Sequence, residues 1–246
     1  MNEIKKLSDR LVADHGPLYL INLPSRKDRR AEFADQLDKI GLSFDHPSVH
    51  VFPAIRPDEL AGFPTLGTRG CFLSHMSVLE QALSVGAKSV IICEDDLDFA
   101  SDFQSRLPAV LDVLEREEWD FFYAGYTSDQ TNDIVGAEAN IFRLPPNHSV
   151  ICAHFYLIRG QAIADFHAYL TAILGRPTGH PDGGPMHYDG AINHFRRDRP
   201  DLVALATLPT LGVQRSSRTD IQALRWFDRT PLVREVVQFL RRMTRQ

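Results

Sequence analysis

SVIICEDDLDF, residues 89–99, is the stretch on which the fold turns. Ser89 to Cys93 is a short apolar run of strand formers, preceded by Gly86, and a run of this kind reads as a strand buried on both faces of a parallel sheet. It stops at four acids within five positions: Glu94, Asp95, Asp96 and Asp98. Like charges in contact repel by about 1 kcal/mol per pair in water and by more in a sheltered site, so the cluster implies a cationic partner. In open α/β sheets ligands collect beyond the carboxyl ends of the strands, which is where these acids fall. If the chain stays extended, Glu94, Asp96 and Asp98 share one side and Asp95 turns to the other. Acids at a strand end also serve as solvated caps, but four after a fully apolar strand weigh toward a hard divalent cation and the phosphate oxygens it arrives with.

Working outward, LYLINL (Leu18 to Leu23) is a first buried strand, followed at once by the charged turn PSRKDRR. Arg26, Lys27, Arg29 and Arg30 then sit at the same sheet edge as the acids, and guanidinium groups pair well with phosphate oxygens. Phe33, Leu37 and Ile40 have amphipathic helical spacing, stopped by Gly41. HVFPAI is a second extended stretch. Gly67 and Gly70 predict a flexible turn before a helix that ends at Gly86, Phe103 to Arg116 a further helix, and Trp119 to Gly125 a strand. Strands separated by helices predict a doubly wound α/β layer.

In the second half, Asn140–Leu144 and Ser149–Ile158 read as strands joined by a Pro-Pro-Asn turn, followed by a helix from Gly160 toward Leu174. GRPTGHPDGGPMHYDG (175–190) is a glycine- and proline-rich loop of the length used by binding loops and lids, with a plain insertion as the alternative. A short helix closed by Pro200 and a strand in LVALATLP follow. The terminal TPLVREVVQFLRRMTRQ sets Leu232, Val233, Val236, Val237, Leu240 and Met243 on one stripe among arginines: a helix packed on the domain, or one lying on a membrane surface.

A net charge of −5 over 246 residues supplies no dominant basic face, which speaks against nucleic-acid binding. Cys71, Cys93 and Cys152 lie in apolar surroundings without paired spacing and read as core thiols of a reducing compartment. No apolar run reaches the length of a membrane span, and the first sixteen residues lack a signal-peptide core. These features predict a cytoplasmic chain, peripheral at the inner face of the membrane in the alternative where the last helix lies on the membrane surface. The expected organisation is an N-terminal extension (1–16), one large domain (17–222) and the C-terminal basic helix (223–246).

The segments INLPSRKDRR, GTRGCFLSH, VIICEDDLDF, EWDFFYAG, HFYLIRGQA, HYDGAINHF and QRSSRTDI occur in one order from Leu18 to Ile221. In this the chain resembles glycosyltransferase family 25, which includes bacterial lipooligosaccharide galactosyltransferases and collagen galactosyltransferases. The resemblance implies a GT-A type, Rossmann-like fold, mainly parallel with helices on both faces. It also implies a UDP-sugar donor, most often UDP-galactose, a glycan or glycolipid acceptor such as a lipopolysaccharide core, Mn²⁺ or Mg²⁺, and inversion at the anomeric carbon. By the same resemblance Asp96 is the metal ligand, Glu94 and Asp95 lie near the donor ribose and sugar, and Asp98 falls outside the acidic triplet. Donor contacts are expected from Asn22, Arg26, Arg30, Arg69, His75, Gln214 and Ser217, with Ser216 and Asp220 beside them.

Inverting transfer needs a base for the acceptor hydroxyl and a neutralised leaving diphosphate. Asp189, beside the glycine-rich loop, is the candidate base, with helix capping as its structural alternative. The segment before it is less apolar than in the family. His75, His187 and His194 are candidates for a second metal ligand or a donor contact, each also consistent with a structural role. The competing functions are a sugar nucleotidyltransferase, although PSRKDRR lacks glycine; a phosphatase with an aspartate nucleophile, although EDDLDF lacks threonine; and a non-catalytic sugar-nucleotide-binding protein.

Overall fold

The computed structural model describes residues 3–128 and 140–215. Five strands form the backbone of the sheet in one direction: β1 (Leu18–Asn22), β2 (Val49–Pro53), β3 (Ser89–Glu94), β5 (Phe121–Thr127) and β8 (Ala204–Thr207). Two run against them, β6 (Ile141–Leu144) and β7 (Ile151–Arg159), giving a seven-stranded sheet in the order β2-β1-β3-β7-β5-β8-β6. A small ribbon pairs β4 (Leu97–Phe99) with β9 (Gly212–Gln214).

Both faces of the sheet are dry, and the sequence shows why. Along β3, Val90 and Ile92 point into one core and Ile91 and Cys93 into the other; Tyr19 and Ile21 divide from Leu18 and Leu20 in the same way. That is the two-residue period of a strand with no solvated side. Helices α3 (Leu66–Ser84), α5 (Gln161–Leu174) and α6 (Tyr188–Asp198) cover the first face. Helices α1 (Glu3–Asp14), α2 (Lys27–Lys39) and α4 (Phe103–Arg116) cover the second. The mainly parallel, doubly covered α/β architecture expected from the sequence is the one observed.

Several local expectations change. In the N-terminal segment, Leu11 and Val12 of α1 are buried in the core, and Arg10 bridges to Asp112 and Glu115 of α4 at 3.1 and 2.8 Å. β6 and β7 form where expected but do not pair with each other. The longer, more apolar β7 sits in the middle between β3 and β5, and the short β6 pairs with β8 at the edge.

Gly67 and Gly70 are not in a turn but inside α3, which begins after Thr65, whose Oγ1 accepts a hydrogen bond from Thr68 N at 2.9 Å. A Cβ on Gly70 would meet the Ile55 carbonyl oxygen at 2.5 Å, so glycine lets the chain after β2 lie against the helix. The glycine-rich stretch is irregular over 175–187, while its last three residues open α6, and Thr178 ties it to the Gly62 carbonyl at 2.8 Å. The C-terminal basic segment lies outside the described residues, as do Ser216, Ser217 and Asp220.

Candidate active site

At the carboxyl ends of β1 and β3 lies a cavity of about 350 Å³, within the range of ligand pockets. The parallel register sets Ile21 beside Glu94, so the residues that follow, Asn22 and Asp95, meet just beyond the sheet. Asn22 Nδ2 donates to Asp95 Oδ2 at 2.8 Å, and Arg29, one turn into α2, donates from Nη1 to Asp95 Oδ1 at 2.6 Å. The same guanidinium lies 3.6 Å from Asp96 Oδ2.

The acids do not alternate as an extended chain would require. β3 ends at Glu94, Asp95 and Asp96 form a turn, and a new strand begins at Leu97. The turn splits the cluster into distinct roles. Asp95 is the anchor, held by Asn22 and Arg29. Asp98 belongs to the β4–β9 ribbon, where Arg215 grips it from Nε at 3.1 Å and from Nη2 at 2.5 Å, so it faces away from the cavity chemistry. Glu94 and Asp96 remain on the cavity wall with weaker partners. Gln214 Nε2 reaches Asp96 at 3.3 Å, and His75 Nε2 lies 3.3 Å from Glu94 Oε1.

Burial, with their mutual repulsion, pushes the Asp96 carboxyl up to about 7; burial does the same to Glu94, also to about 7, against the opposing pull of His154. His75 is fully buried and pushed down to about 3, which keeps it neutral. Asp95 and Asp96 thus share one buried guanidinium, with Glu94 on the cavity wall next to them. Arg26 and Arg56 line the same cavity. A wall of carboxylate oxygen near a basic wall fits a hard divalent cation carrying a phosphate group.

The remaining expected residues fall in different places. Arg26 lines the cavity and is engaged by Asp28 at 2.8 Å. Arg30 lies over the Phe44 ring, 5.4 Å from its centroid, and Arg69 donates to the Glu59 carbonyl at 2.7 Å; neither lines the cavity. Asp189 is in the first turn of α6 and is not its cap, a position held by His187. Its Oδ1 and Oδ2 accept from Gly190 N at 2.8 Å and Cys152 N at 3.1 Å, and its charge reaches His75 and Glu94. His187 is exposed, and His194 accepts from Arg197 at 2.8 Å; neither joins the cavity.

Sequence reasoning passed over Arg56, Cys71 and His154 and did not single Arg29 out from its basic neighbours. Cys71 and His75 are four apart on α3, a spacing that puts both on one helix face and was available as a signal. Nothing local distinguishes Arg29, whose role follows from the β1–β3 register.

Residues 15–139, from just before β1 to beyond β5, match the description "Glycosyltransferase family 25 (LPS biosynthesis protein)". The chain belongs to glycosyltransferase family 25. It is 30% identical over 155 residues to a glycosyltransferase 25 family member of Aedes aegypti, covering 53% of this chain and 24% of that one. It is 24% identical over 159 residues to human procollagen galactosyltransferase 2, covering 57% and 25%. It is 29% identical over 126 residues to a human protein named inactive glycosyltransferase 25 family member 3, covering 44% and 21%.

The chain therefore spans about a quarter of the length of these curated relatives. Among solved structures it resembles a glycosyltransferase involved in glycosylating the major capsid of PBCV-1, with a TM-score of 0.51 at 7% identity, covering 82% of this chain and 93% of that one. That likeness shows the shared GT-A type fold. The family match covers β1, α2, α3 and the acidic turn, whereas Asp189 and Gln214 lie beyond it.

Proposed function

We propose that this family 25 chain is an inverting, metal-dependent glycosyltransferase that moves a hexose, galactose in the first instance, from a UDP-sugar to a hydroxyl of a glycan or glycolipid such as a lipopolysaccharide core. The observation that carries this reading is the set of charges gathered at one cavity: Glu94, Asp95 and Asp96 line it together with Arg26, Arg29 and Arg56, and Arg29 is committed to Asp95 and Asp96. Asp96 would hold the cation, Mn²⁺ or Mg²⁺. A bound cation supplies neutralisation of the leaving diphosphate. Arg26 and Arg56 would pair with phosphate oxygens, and Asn22 and Arg29 hold the acidic turn in place.

Asp189 is the proposed base. Two backbone N–H groups fix both its oxygens, so the carboxylate is oriented before an acceptor arrives, and a base must lie within hydrogen-bond reach of the hydroxyl it deprotonates. The galactose choice draws on the name of the procollagen galactosyltransferase relative, and the acceptor class on the family description. The basic stripe at 223–246 is proposed to hold the chain at the cytoplasmic face of a membrane.

The test is a donor screen with Mn²⁺ and a lipopolysaccharide-core acceptor, read as release of UDP. Release from UDP-galactose that Asp96→Ala abolishes, in a variant that still folds, is the expected result. UDP-sugar binding without UDP release toward any acceptor would establish the binding-only alternative, which the relatives named inactive favour. Pyrophosphate release from UTP and a sugar phosphate would establish a nucleotidyltransferase.

A further inference from the structure

On the cavity wall, apart from the Asp95–Arg29 anchor, three side chains of different chemistry converge. Cys71 and His75 come from one face of α3, and Glu94 from the end of β3 beneath it. His75 Nε2 is 3.3 Å from Glu94 Oε1, Cys71 Sγ is 3.9 Å from the same oxygen, and the three potential ligand atoms lie within 4.8 Å of one another. For tetrahedral zinc, with bonds of about 2.3 Å to sulfur and about 2.0 Å to nitrogen and oxygen, neighbouring ligands stand about 3.3–3.6 Å apart. The histidine–glutamate pair already has that separation, and the thiol, 3.9 Å from the glutamate oxygen and within 4.8 Å of the imidazole nitrogen, closes on an ion by a movement of up to about 1.3 Å.

The imidazole is also held as a metal-binding histidine is held. Its Nδ1 meets Tyr156 Oη at 3.2 Å, and that hydroxyl meets Tyr188 Oη at 2.7 Å. The Tyr188 ring stacks on the imidazole with centroids 4.1 Å apart. A hydroxyl on Nδ1 and a ring on the imidazole face fix the orientation of Nε2, the work that partners behind the ligands do in metal sites. A thiolate, an imidazole and a carboxylate together suit zinc-class ions, whereas Mg²⁺ and Mn²⁺ favour all-oxygen sites.

We propose that Cys71, His75 and Glu94 form a binding site for a borderline-soft divalent cation of the zinc class, with its fourth position open toward the cavity. All three residues line that cavity, so the open position is accessible to water or an anionic ligand. The Cys71 thiol proton leaves to solvent when the ion binds, as does any proton shared between Glu94 and His75. The site stands on these three residues alone and does not require the transferase reading.

The full chain, stripped of metal, is titrated with Co²⁺ as an optical probe and then with Zn²⁺, without any sugar nucleotide. One Co²⁺ per chain with a thiolate-to-cobalt charge-transfer band is expected, and Zn²⁺ should bleach the band while excess Mg²⁺ or Mn²⁺ leaves it. Cys71→Ser should remove the band and weaken Zn²⁺ binding by about 100-fold. In the unsubstituted chain, Zn²⁺ should slow alkylation of Cys71, read by peptide mass spectrometry. Absence of the band in folded protein, its survival in Cys71→Ser, or alkylation of Cys71 unaffected by Zn²⁺ would overturn the assignment.

Discussion

Replacing Asp96 by asparagine should make the protein more stable while removing its metal response. Asp96 is 6% exposed, and its carboxyl is raised from 3.8 to about 7 by burial and by Glu94. Three pH units correspond to about 4 kcal/mol if Asp96 alone accounted for them. Glu94 rises with it, so part of this is mutual repulsion, and about 2 kcal/mol is a fair share for Asp96. The folded state holds the proton more tightly than the unfolded chain, so the carboxylate's penalty is absent below about pH 4, grows through the interval and is complete above about pH 7.

Asparagine never ionises and can still accept from Gln214. Asp96→Asn should therefore melt about 4–8 °C above the parent at about pH 8.5, a gain that shrinks toward zero as the pH falls to about 4. Differential scanning calorimetry without divalent metal measures it. An unchanged or lower midpoint at the alkaline end, with native tryptophan fluorescence intact, would refute the premise that this carboxylate is held against its preference for a ligand's sake.

Arg29→Met should destabilise the protein by about 3–5 kcal/mol, because it leaves Asp95 buried without its cation; urea denaturation reads the loss. Asp98→Asn should cost at most about 1 kcal/mol, since the Arg215 pair is partly exposed, and should leave UDP affinity unchanged by calorimetry. Gly70→Ala should force the Ile55 backbone away from α3, costing about 1–3 kcal/mol and weakening UDP-sugar binding, because both residues line the cavity. Asp189→Asn should abolish transfer while retaining UDP binding; unimpaired turnover would remove it as the base.

The architecture was legible because its signals are local. The apolar runs at Leu18 and Ser89 needed only their own composition to read as strands with two buried faces, and α4 only its periodicity. What failed depended on partners distant in sequence. The strands expected at Asn140–Leu144 and Ser149–Ile158 are present, but their partners were not legible: β3 and β5 take the two edges of β7, and no property of the connecting turn records that pairing. The acids were expected to alternate along an extended chain, whereas the turn at Asp95 and Asp96 is set by Arg29, Gln214 and the β4–β9 ribbon, contributed from far along the chain. Gly70 of α3 looked like part of a turn because its role is close approach, visible only once Ile55 lies against it.

The Asp95 anchor bears on the thermodynamics of recognition. A loop that must order itself around a ligand loses about 1–2 kcal/mol of backbone entropy per residue at that moment. Here Asn22 and Arg29 fix the middle acid while the chain folds, so its neighbours on either side are already aimed. A donor then meets a rigid receptor. Its association should be fast, its heat of binding should reflect contacts and desolvation with little contribution from refolding, and its selectivity should come from shape.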